Sequence, residues 1–565
     1  MKVLFLTHAF NGLAQRLFVE LTELGHEVAI EIDVNDATTR EAIALARPDV
    51  VVAPFLKRAI PQDVWSSVPC LIVHPGVPGD RGPSSLDWAI LEGEREWGVT
   101  VLQAVAEMDA GPVWAYRTFP MRLAPKSSLY RREVTQAAVA AVVEALGKME
   151  RHVRPTPARE LGAAARGRLR PPMKQADRAI DWTRHTTLEV LRRIHCADGH
   201  PGVRDTVAGR EVFLHGAHRE LTIQGGSPGE IIGVRDGAIL RSTIDGAVWI
   251  THLKPAEEGE GAIKRPAEEV LGAALAGVAR IDVPIEAPLN EATWREIRYQ
   301  ELGSVGVLHF GFHNGAMSTA QCKRLLEALR YARTRPTRVL VLAGGSDFWS
   351  NGIHLNAIEA SERPADTSWE NINAIDDVAR EIVTDTARLT VSALAGNAGA
   401  GGVFLALASD RVWLREGVVL NPHYRGMGNL YGSEYWTYLL PRRVGEEKAR
   451  EIVERRLPMG AAEAVRLRLA EERIAGDPEM FLEACIARAA TIADNWRWPA
   501  LLEAKRRKRS EDEAAKPLER YRVEELARMK LNFYGFDPSY HVARYHFVYK
   551  LPKARTPYYL ARHRA

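Results

Sequence analysis

Residues 395–410, AGNAGAGGVFLALASD, contain four glycines and five alanines at a place where a strand would lead into an apolar helix. Such a turn exposes backbone N–H groups, because glycine lets another molecule approach the chain closely. N–H groups aimed at one oxygen form an oxyanion hole, which polarises a carbonyl. Val403 and Phe404 follow the glycines where a carboxylate would serve proton transfer. The stretch therefore predicts a carbonyl-polarising site without the expected acid or base.

The elements that position such chemistry follow from the apolar patterning. Residues 1 to about 120 alternate short apolar strands with helical patterns: a helix near 12–24 lies among the strands KVLFLT, GHEVAIEI, PDVVVAPF and CLIVHP. This is the pattern of a doubly wound α/β domain, whose ligands bind beyond the carboxyl ends of the strands. His74 ends CLIVH and is therefore expected at a ligand site.

The composition of the sequence changes near residue 160. A basic, Pro-containing connector is followed by strand runs with Asp236-Gly237 and Asp245-Gly246, which are typical of hairpin turns. A small β-barrel is therefore expected at 175–255, followed by a Glu/Pro/Gly-rich linker at 255–268. Strands and helices alternate again from about 300 to 460, and the remainder is mostly helical and charged, with an aromatic tail.

The overall composition excludes several classes of protein. A chain of 565 residues predicts three or four domains. The net charge of +3 does not indicate the basic surface of a nucleic-acid-binding protein. The basic run KRRKR at 505–509 is followed at once by SEDE, which is typical of a solvent-exposed helix face. The four cysteines are far apart, so neither a disulfide framework nor a metal site is expected. No apolar run is long enough to cross a bilayer, and a cytoplasmic location is expected.

Residues 70–113 resemble the N10-formyltetrahydrofolate formyltransferases. The family's motifs occur here in order and at the family's spacing: His74-Pro75, Arg81-Gly82, Ala89-Ile90, Gly98-Val99-Thr100 and Asp109-x-Gly111. AIDW (179–182) and GHPGV (199–203) resemble the C-terminal barrel of the same enzymes. The resemblance implies that His74 carries protons during formyl transfer, that Asp109 orients it, and that Arg81 and Gly82 bind substrate. Formyl transfer passes through a tetrahedral oxyanion and needs the folate nitrogen protonated as it leaves, which an imidazole can do.

One position departs from the formyltransferase pattern. The family has asparagine two residues before the histidine, whereas this chain has Ile72 in the substrate-binding position. An oxyanion-hole side chain is typically worth roughly 3 kcal/mol in the transition state. A thiol acceptor, which ionises near pH ~8.5, tolerates that loss better than an amine does. Ile72 therefore indicates either a changed acceptor or an inactive domain.

Residues 300–460 resemble the crotonase (enoyl-CoA hydratase/isomerase) superfamily, through FWSNGIHL and the opening stretch. The resemblance implies that the N–H groups of Ile353 and Gly401 grip an acyl-CoA carbonyl. Gly352, Gly402 and His354 are the expected substrate-binding neighbours. Hydratases carry glutamates where Phe404 and Tyr424 stand here. Tyr424 and Glu434 remain as proton carriers, although Glu434 also fits a helix-surface carboxylate.

The combination of the two halves resembles the HoxX family of hydrogenase maturation factors. That resemblance implies formyl transfer from N10-formyltetrahydrofolate to coenzyme A, then decarbonylation of formyl-CoA to carbon monoxide for a [NiFe]-hydrogenase. A hydrogenase large subunit or its maturation proteins are the expected partners, with no nucleic acid and no membrane. The expected domains are formyltransferase-like 1–168, a barrel at 169–262, a linker at 263–290, a crotonase-like CoA domain at 291–500 and a helical extension at 501–565.

Two other functions compete with carbon monoxide synthesis. One is a formyltransferase or formyltetrahydrofolate hydrolase whose crotonase half binds CoA without catalysis and regulates the enzyme. The other is a binding protein with two inactive domains, such as an RNA or hydrogenase-subunit chaperone, although an inactive domain has no reason to retain both His74 and Asp109. Methionyl-tRNA formylation is disfavoured by Ile72 and by the attached CoA fold.

Overall fold

The computed structural model describes residues 1–257, 259, 261–288 and 292–564. Its first sheet has six strands. The model separates into two units. Unit 1 comprises Met1–Ile281, Ala292–Trp294 and Pro552–Ala565, and unit 2 comprises Asp282–Glu291 and Arg295–Leu551.

The first sheet of unit 1 has the strand order β2-β1-β3-β4-β5-β6. Its elements are β1 (Lys2–Thr7), α1 (Gly12–Glu23), β2 (Glu27–Ile32), α2 (Asp36–Ala46), β3 (Val50–Ala53), α3 (Gln62–Trp65), β4 (Cys70–His74), α4 (Ser85–Glu92), β5 (Glu96–Gln103), β6 (Val113–Pro120), α5 (Lys126–Leu129) and α6 (Thr135–Glu150). Strands β1 to β4 pair in parallel, whereas β5 and β6 join antiparallel. The four predicted strands are confirmed, and His74 lies at the carboxyl end of β4 as expected.

The second sheet of unit 1 is antiparallel, in the order β7-β8-β11-β10-β9, with β12 paired to β11. Its elements are α7 (Thr187–Ala197), β7 (Val203–Val207), β8 (Arg210–Glu220), β9 (Ile231–Arg235), β10 (Ala238–Ser242), β11 (Ala247–Pro255), β12 (Arg265–Pro266) and α8 (Ala267–Leu271). Asp236-Gly237 forms the predicted two-residue hairpin, because both residues have positive φ (48° and 83°), as a type I′ turn requires. Asp245-Gly246 ends a four-residue loop between β10 and β11.

Part of the segment expected to be a linker is regular structure. Strand β12 and helix α8 lie within it, and Ile263, Val270 and Leu271 are buried. The Glu/Pro/Gly composition obscured these apolar side chains, whose burial against the second sheet favours an ordered conformation.

Unit 2 contains a six-strand sheet in the order β13-β14-β15-β17-β19-β22 and a four-strand sheet in the order β16-β18-β20-β21. Its strands are β13 (Ile297–Leu302), β14 (Val305–Phe310), β15 (Val339–Gly344), β16 (Phe348–Ser350), β17 (Leu389–Leu394), β18 (Asn397–Gly399), β19 (Arg411–Arg415), β20 (Val419–Asn421), β21 (Met459–Gly460) and β22 (Glu472–Ile474). The parallel pairing of β16 with β18 places the two crotonase-like motifs side by side.

The helices of unit 2 surround these sheets. They are α9 (Thr319–Thr334), α10 (Leu355–Glu359), α11 (Pro364–Thr384), α12 (Gly401–Leu407), α13 (Trp436–Leu439), α14 (Pro441–Val444), α15 (Glu446–Arg455), α16 (Ala461–Arg466), α17 (Pro478–Ala493), α18 (Trp498–Ala515), α19 (Leu518–Tyr534) and α20 (Ser539–Val548). The basic run at 505–509 lies on α18. Lys505 Nζ is 2.7 Å from Asp410 Oδ2, whereas the middle three residues of the run are exposed. Within the described residues, no helix has both the length and the apolar character needed to cross a membrane.

Candidate active sites

His74 lies in unit 1 between two carboxylates. Its side chain is 5% exposed, and its Nε2 atom is 3.0 Å from Asp80 Oδ2, which is hydrogen-bond distance. Its Nδ1 atom is 3.6 Å from Asp109 Oδ2, which is too long for a hydrogen bond. The structure therefore brings the predicted pair His74 and Asp109 together, but the carboxylate bonded to the imidazole is Asp80.

Asp109 is held by the loop that carries the Arg-Gly motif. Its backbone has a φ of 55°, and its Oδ2 atom accepts a hydrogen bond from the Gly82 amide at 3.2 Å. The Arg81 side chain forms an ion pair with Glu107. A cleft of about 460 Å³ opens beside this loop, lined by Gly82, Pro83, Met108, Leu169, Arg170, Pro171 and Pro172. Small molecules can therefore reach the neighbourhood of Asp109.

Asp80 and Arg170 are functional candidates that the sequence analysis missed. Asp80 is fully buried, and its second carboxylate oxygen accepts from Arg170 Nε at 3.1 Å. Arg170 also binds Glu92 at 2.7 Å and lies over the Trp97 ring. The available signal was the glycine spacing in HPGVPGDRG, since a loop this rich in glycine can fold back on itself. A Cβ atom at Gly76 would lie 2.5 Å from His74 Nε2 and 2.6 Å from Asp80 Oδ2, so the pair needs glycine there.

Ile72 lies on β4 two residues before His74. Its side chain is partly buried and packs against an apolar cluster that contains Leu6, Val51 and Cys70. The position where the formyltransferases carry an amide is thus joined to the core and offers no hydrogen-bond donor from its side chain.

The predicted oxyanion hole of unit 2 is built from two turns in contact. A Cβ atom at Gly352 would lie 3.4 Å from the Gly401 amide nitrogen, and Gly352 has a φ of +77°. Within the described part of the chain, neither the Ile353 N–H nor the Gly401 N–H has an acceptor. Gly401 opens α12, and Gly402 packs against the Ser350 carbonyl, where a Cβ atom would lie at 2.1 Å. Both predicted donors are thus available to a carbonyl oxygen.

Phe404 and Tyr424 form a buried aromatic stack. Their ring centroids are 5.2 Å apart with an interplanar angle of 18°, and the two residues are 0% and 4% exposed. The two positions at which hydratases carry glutamates are therefore adjacent in space and apolar here, apart from the Tyr424 hydroxyl. These two positions therefore do not supply the pair of carboxylates with which hydratases add water to a double bond.

Glu434 lies against the Gly401 backbone. The residue is 1% exposed, so the alternative of a helix-surface carboxylate is wrong, and a Cβ atom at Gly401 would lie 2.0 Å from Glu434 Oε1. The other carboxylate oxygen, Oε2, is 2.6 Å from the Tyr424 hydroxyl, which also lies 2.9 Å from the Ser433 carbonyl. Burial and the charge of Asp376 raise the pKa of Glu434 to about 8, and burial with the charge of Glu434 raises the pKa of Tyr424. The Tyr424 hydroxyl is the donor in this contact, with Glu434 Oε2 and the Ser433 carbonyl as its acceptors.

His354 serves as a helix cap. Its Nδ1 atom accepts from the Ala357 amide at 3.1 Å at the start of α10, and its own amide donates to Asn371 Oδ1 at 3.0 Å. The first of these contacts occupies one ring nitrogen of His354. In the described part of the chain, no cluster of three or more His, Cys, Asp or Glu side chains has the arrangement of a metal site.

Three family models match the chain. They are Formyl transferase over residues 27–146, Formyl transferase, C-terminal domain over residues 172–265, and Enoyl-CoA hydratase/isomerase over residues 304–522. The two family resemblances seen in the sequence motifs are therefore confirmed.

Two of the similar proteins match over essentially the full length of the chain. The chain is 55% identical to the hydrogenase maturation factor HoxX of Bradyrhizobium diazoefficiens, over 100% of this chain and 97% of that protein. It is 49% identical to HypX from Aquifex aeolicus, solved in complex with tetrahydrofolic acid, with a TM-score of 0.96 over 100% and 99% of the two chains. Methionyl-tRNA formyltransferase of Dechloromonas aromatica is 28% identical over 46% of this chain and 82% of that protein.

Proposed function

This chain belongs to the HoxX family of hydrogenase maturation factors, and on that premise we propose that it makes carbon monoxide in two steps. A formyl group passes from N10-formyltetrahydrofolate to the thiol of coenzyme A in unit 1. Formyl-CoA then loses carbon monoxide in unit 2. The domain boundaries expected from the sequence, apart from the linker at 263–290, and the roles of the site residues are part of this proposal.

Formyl transfer rests on His74. The imidazole takes the thiol proton as sulfur attacks the formyl carbon and delivers it to the folate nitrogen that leaves. Asp80 holds Nε2 from inside the protein, which leaves the Nδ1 side, facing Asp109, for the reacting atoms. The tetrahydrofolic acid bound to the Aquifex aeolicus protein supports a folate donor.

A thiol acceptor suits the environment at Ile72. The side chain at this position gives no hydrogen bond to the oxyanion, so an acceptor that is already a good nucleophile is favoured. A thiol has a pKa near ~8.5 and leaves no N–H proton to remove after attack.

The contact of Glu434 with Gly401 carries the proposal for the second step. The Ile353 and Gly401 amides hold the thioester oxygen. Ionised Glu434 then takes the formyl hydrogen, the carbon–sulfur bond breaks, and the proton returns to the CoA sulfur, so formyl-CoA gives carbon monoxide and CoA with no other reactant. A pKa of about 8 for Glu434 is close to that of a thiol, so one group can both accept and return the proton. Tyr424 stabilises the carboxylate by hydrogen bonding.

We place the reaction in the cytoplasm, with a [NiFe]-hydrogenase large subunit or its maturation proteins as the recipient. The name of the Bradyrhizobium diazoefficiens relative, hydrogenase maturation factor HoxX, supports this recipient.

The test combines the full-length protein with N10-formyltetrahydrofolate and CoA. Carbon monoxide is followed by the spectrum of a haem protein, and formyl-CoA and formate are followed by mass spectrometry. Tyr424→Phe keeps the ring stacked on Phe404 but removes the hydroxyl, so carbon monoxide formation falls at least about tenfold while donor consumption is unchanged. Tyr431→Phe, a half-exposed ring in the same loop, is the matched control. Formate release that does not depend on CoA would instead establish a formyltetrahydrofolate hydrolase.

A further inference from the structure

The turn that carries Glu434 has an unfavourable backbone. Glu434 and Tyr435 have φ values of 57° and 58°, so two successive non-glycine residues are left-handed. Side chains with a Cβ atom avoid this region, and it persists only where surrounding groups hold it. Both residues are buried, with exposures of 1% and 0%. The turn from Ser433 to Thr437 must therefore be held by contacts inside the protein.

Asp376 on α11 holds the first half of this turn. Its two carboxylate oxygens accept from the Ser433 hydroxyl at 2.8 and 2.7 Å. Its Oδ1 atom also accepts from the Glu434 amide at 2.8 Å. Asp376 is fully buried, so these hydrogen bonds are shielded from water and correspondingly strong.

Glu525 on α19 holds the second half. Its Oε2 atom accepts from the Tyr435 amide at 2.9 Å, and its Oε1 atom accepts from the Thr437 amide at 2.8 Å and from the Thr437 hydroxyl at 2.5 Å. Glu525 is also fully buried. It lies beyond residue 522, where the match to the enoyl-CoA hydratase/isomerase model ends, so this contact comes from the C-terminal extension of the chain.

The two carboxylates decide where Glu434 points. With the amides of residues 434, 435 and 437 bound, the Glu434 side chain lies against Gly401 and beside Tyr424. A relaxed turn would carry it away from the oxyanion hole. We propose that Asp376 and Glu525 are positioning residues for decarbonylation, which hold the strained turn so that the Glu434 carboxylate faces the thioester. This inference rests on the function proposed above.

The same arrangement couples the charges of the three carboxylates. The titratable and charged groups around Glu434 are Asp376 and Asp377 of α11, Cys322 of α9, Tyr424 and Tyr435 of the loop, and Arg522 and Glu525 of α19. Arg522 forms its short ion pair, 2.6 Å, with Asp377 and remains 3.9 Å from Asp376. Burial raises the pKa of Asp376 to about 6, so at neutral pH its charge opposes ionisation of Glu434.

The experiment compares Glu525→Gln, Asp376→Asn and Thr437→Val in the full-length protein. Glu525→Gln replaces one carboxylate oxygen by an amide nitrogen that cannot accept, so carbon monoxide formation falls at least about tenfold while donor consumption and formyl-CoA formation are unchanged. Thr437→Val removes one donor to Glu525 and gives a smaller loss in the same direction. Glu524→Gln, an exposed neighbour on α19 that pairs with Lys516, is the control and behaves as wild type.

Asp376→Asn separates positioning from simple loss of structure. Asparagine still accepts from the Glu434 amide but removes a negative charge, so the pH at which carbon monoxide formation is half-maximal falls, by about one pH unit. A variant that had lost only stability would be slower at every pH with an unchanged midpoint.

Crystal structures of the variants supply a readout that needs no activity. The Glu525→Gln structure is expected to show residues 434 and 435 outside the left-handed region and Glu434 withdrawn from Gly401. An unchanged turn together with wild-type carbon monoxide formation and an unmoved pH midpoint overturns the inference. If the wild-type protein makes no carbon monoxide, the proposed function fails, whereas the variant structures still decide whether Asp376 and Glu525 hold the turn.

Discussion

His74 illustrates how one side chain is shared between two carboxylates. Asp80 is inside the protein, hydrogen-bonded to Nε2 and neutralised by Arg170, while the Asp109 carboxylate, which is 12% exposed, stands 3.6 Å from Nδ1. A carboxylate that bonds one ring nitrogen fixes the tautomer and leaves the other nitrogen to act as the base. Of the two carboxylates, only Asp80 is within hydrogen-bond distance of the imidazole.

Replacing Asp80 by Asn is expected to impair formyl transfer. The amide keeps the volume but weakens the hold on His74 and leaves Arg170 without its buried partner, so consumption of N10-formyltetrahydrofolate falls about 10²- to 10⁴-fold. The change is followed by the absorbance of the folate. Glu107→Gln, which alters an exposed partner of Arg81, is the control. Donor consumption at the wild-type rate would show that Asp80 does not orient His74.

At the scale of elements, short strands bring together the two turns of the proposed oxyanion hole. β16 and β18 are three residues each, yet their parallel pairing sets the turn at Gly352 against the start of α12 at Gly401. The positive φ of Gly352 and the missing Cβ at both glycines permit that approach. α11 and α19 then supply the acidic side chains that hold the facing turn.

These buried carboxylates predict that unit 2 loses stability as the pH rises. The pKa of Glu434 is raised by burial to about 8, so from its ordinary value up to about pH 8 the folded chain holds a proton that the unfolded chain has released. Stability therefore falls with rising pH, by up to about 1.4 kcal/mol per pH unit for each such proton. Denaturant unfolding at pH 7.0 and 8.5 measures the fall.

Glu434→Gln provides the comparison for that measurement. The variant has no group to ionise at this position, so its stability falls less over the same pH interval than that of the wild type. Glu524→Gln, which is exposed, is expected to follow the wild type. Equal slopes for Glu434→Gln and wild type would show that Glu434 ionises at its ordinary pKa.

At the scale of the whole molecule, the C-terminal residues contact a strand near the N-terminus. The last residues pack along β2, an edge strand of the first sheet: the Ile30 amide donates to the Leu560 carbonyl at 3.1 Å and the Ile32 amide donates to the Thr556 hydroxyl at 2.8 Å. Burial alone would raise the pKa of Glu31, but hydrogen bonds from His563, Thr556 and Arg564 hold it below its ordinary value. The tail thus satisfies an edge that would otherwise be open to pairing with other chains.

Removal of residues 552–565 is expected to destabilise unit 1 and to promote aggregation. The deletion exposes β2 and leaves the buried Glu31 without its hydrogen-bond partners, so the melting temperature of unit 1 falls by several degrees and light scattering rises earlier on heating. Glu31→Gln is expected to act in the same direction. Glu41→Gln, whose side chain is 59% exposed, changes only a surface pair with Arg564 and serves as the control. A truncated chain that melts and scatters like the full chain would show that the tail is dispensable.

The sequence by itself determined the local elements and the two families of motif. The strands that end at Thr7 and His74, the turn at Asp236-Gly237 and the glycines before α12 were predictable, because apolar period, turn chemistry and motif spacing depend on residues close together in the chain. The same spacing predicted His74 and Gly401 as site residues and located the replacement at Phe404.

Only the tertiary structure decided the supporting groups. Asp80 meets Arg170 across 90 positions, Glu434 meets Asp376 across 58, and Tyr435 meets Glu525 across 90. Nothing in a local pattern distinguishes these carboxylates from exposed ones such as Glu524. Their burial, partners and pKa values arise when distant segments exclude water from the same volume, since desolvation and nearby charge are properties of the folded environment and not of the residue type.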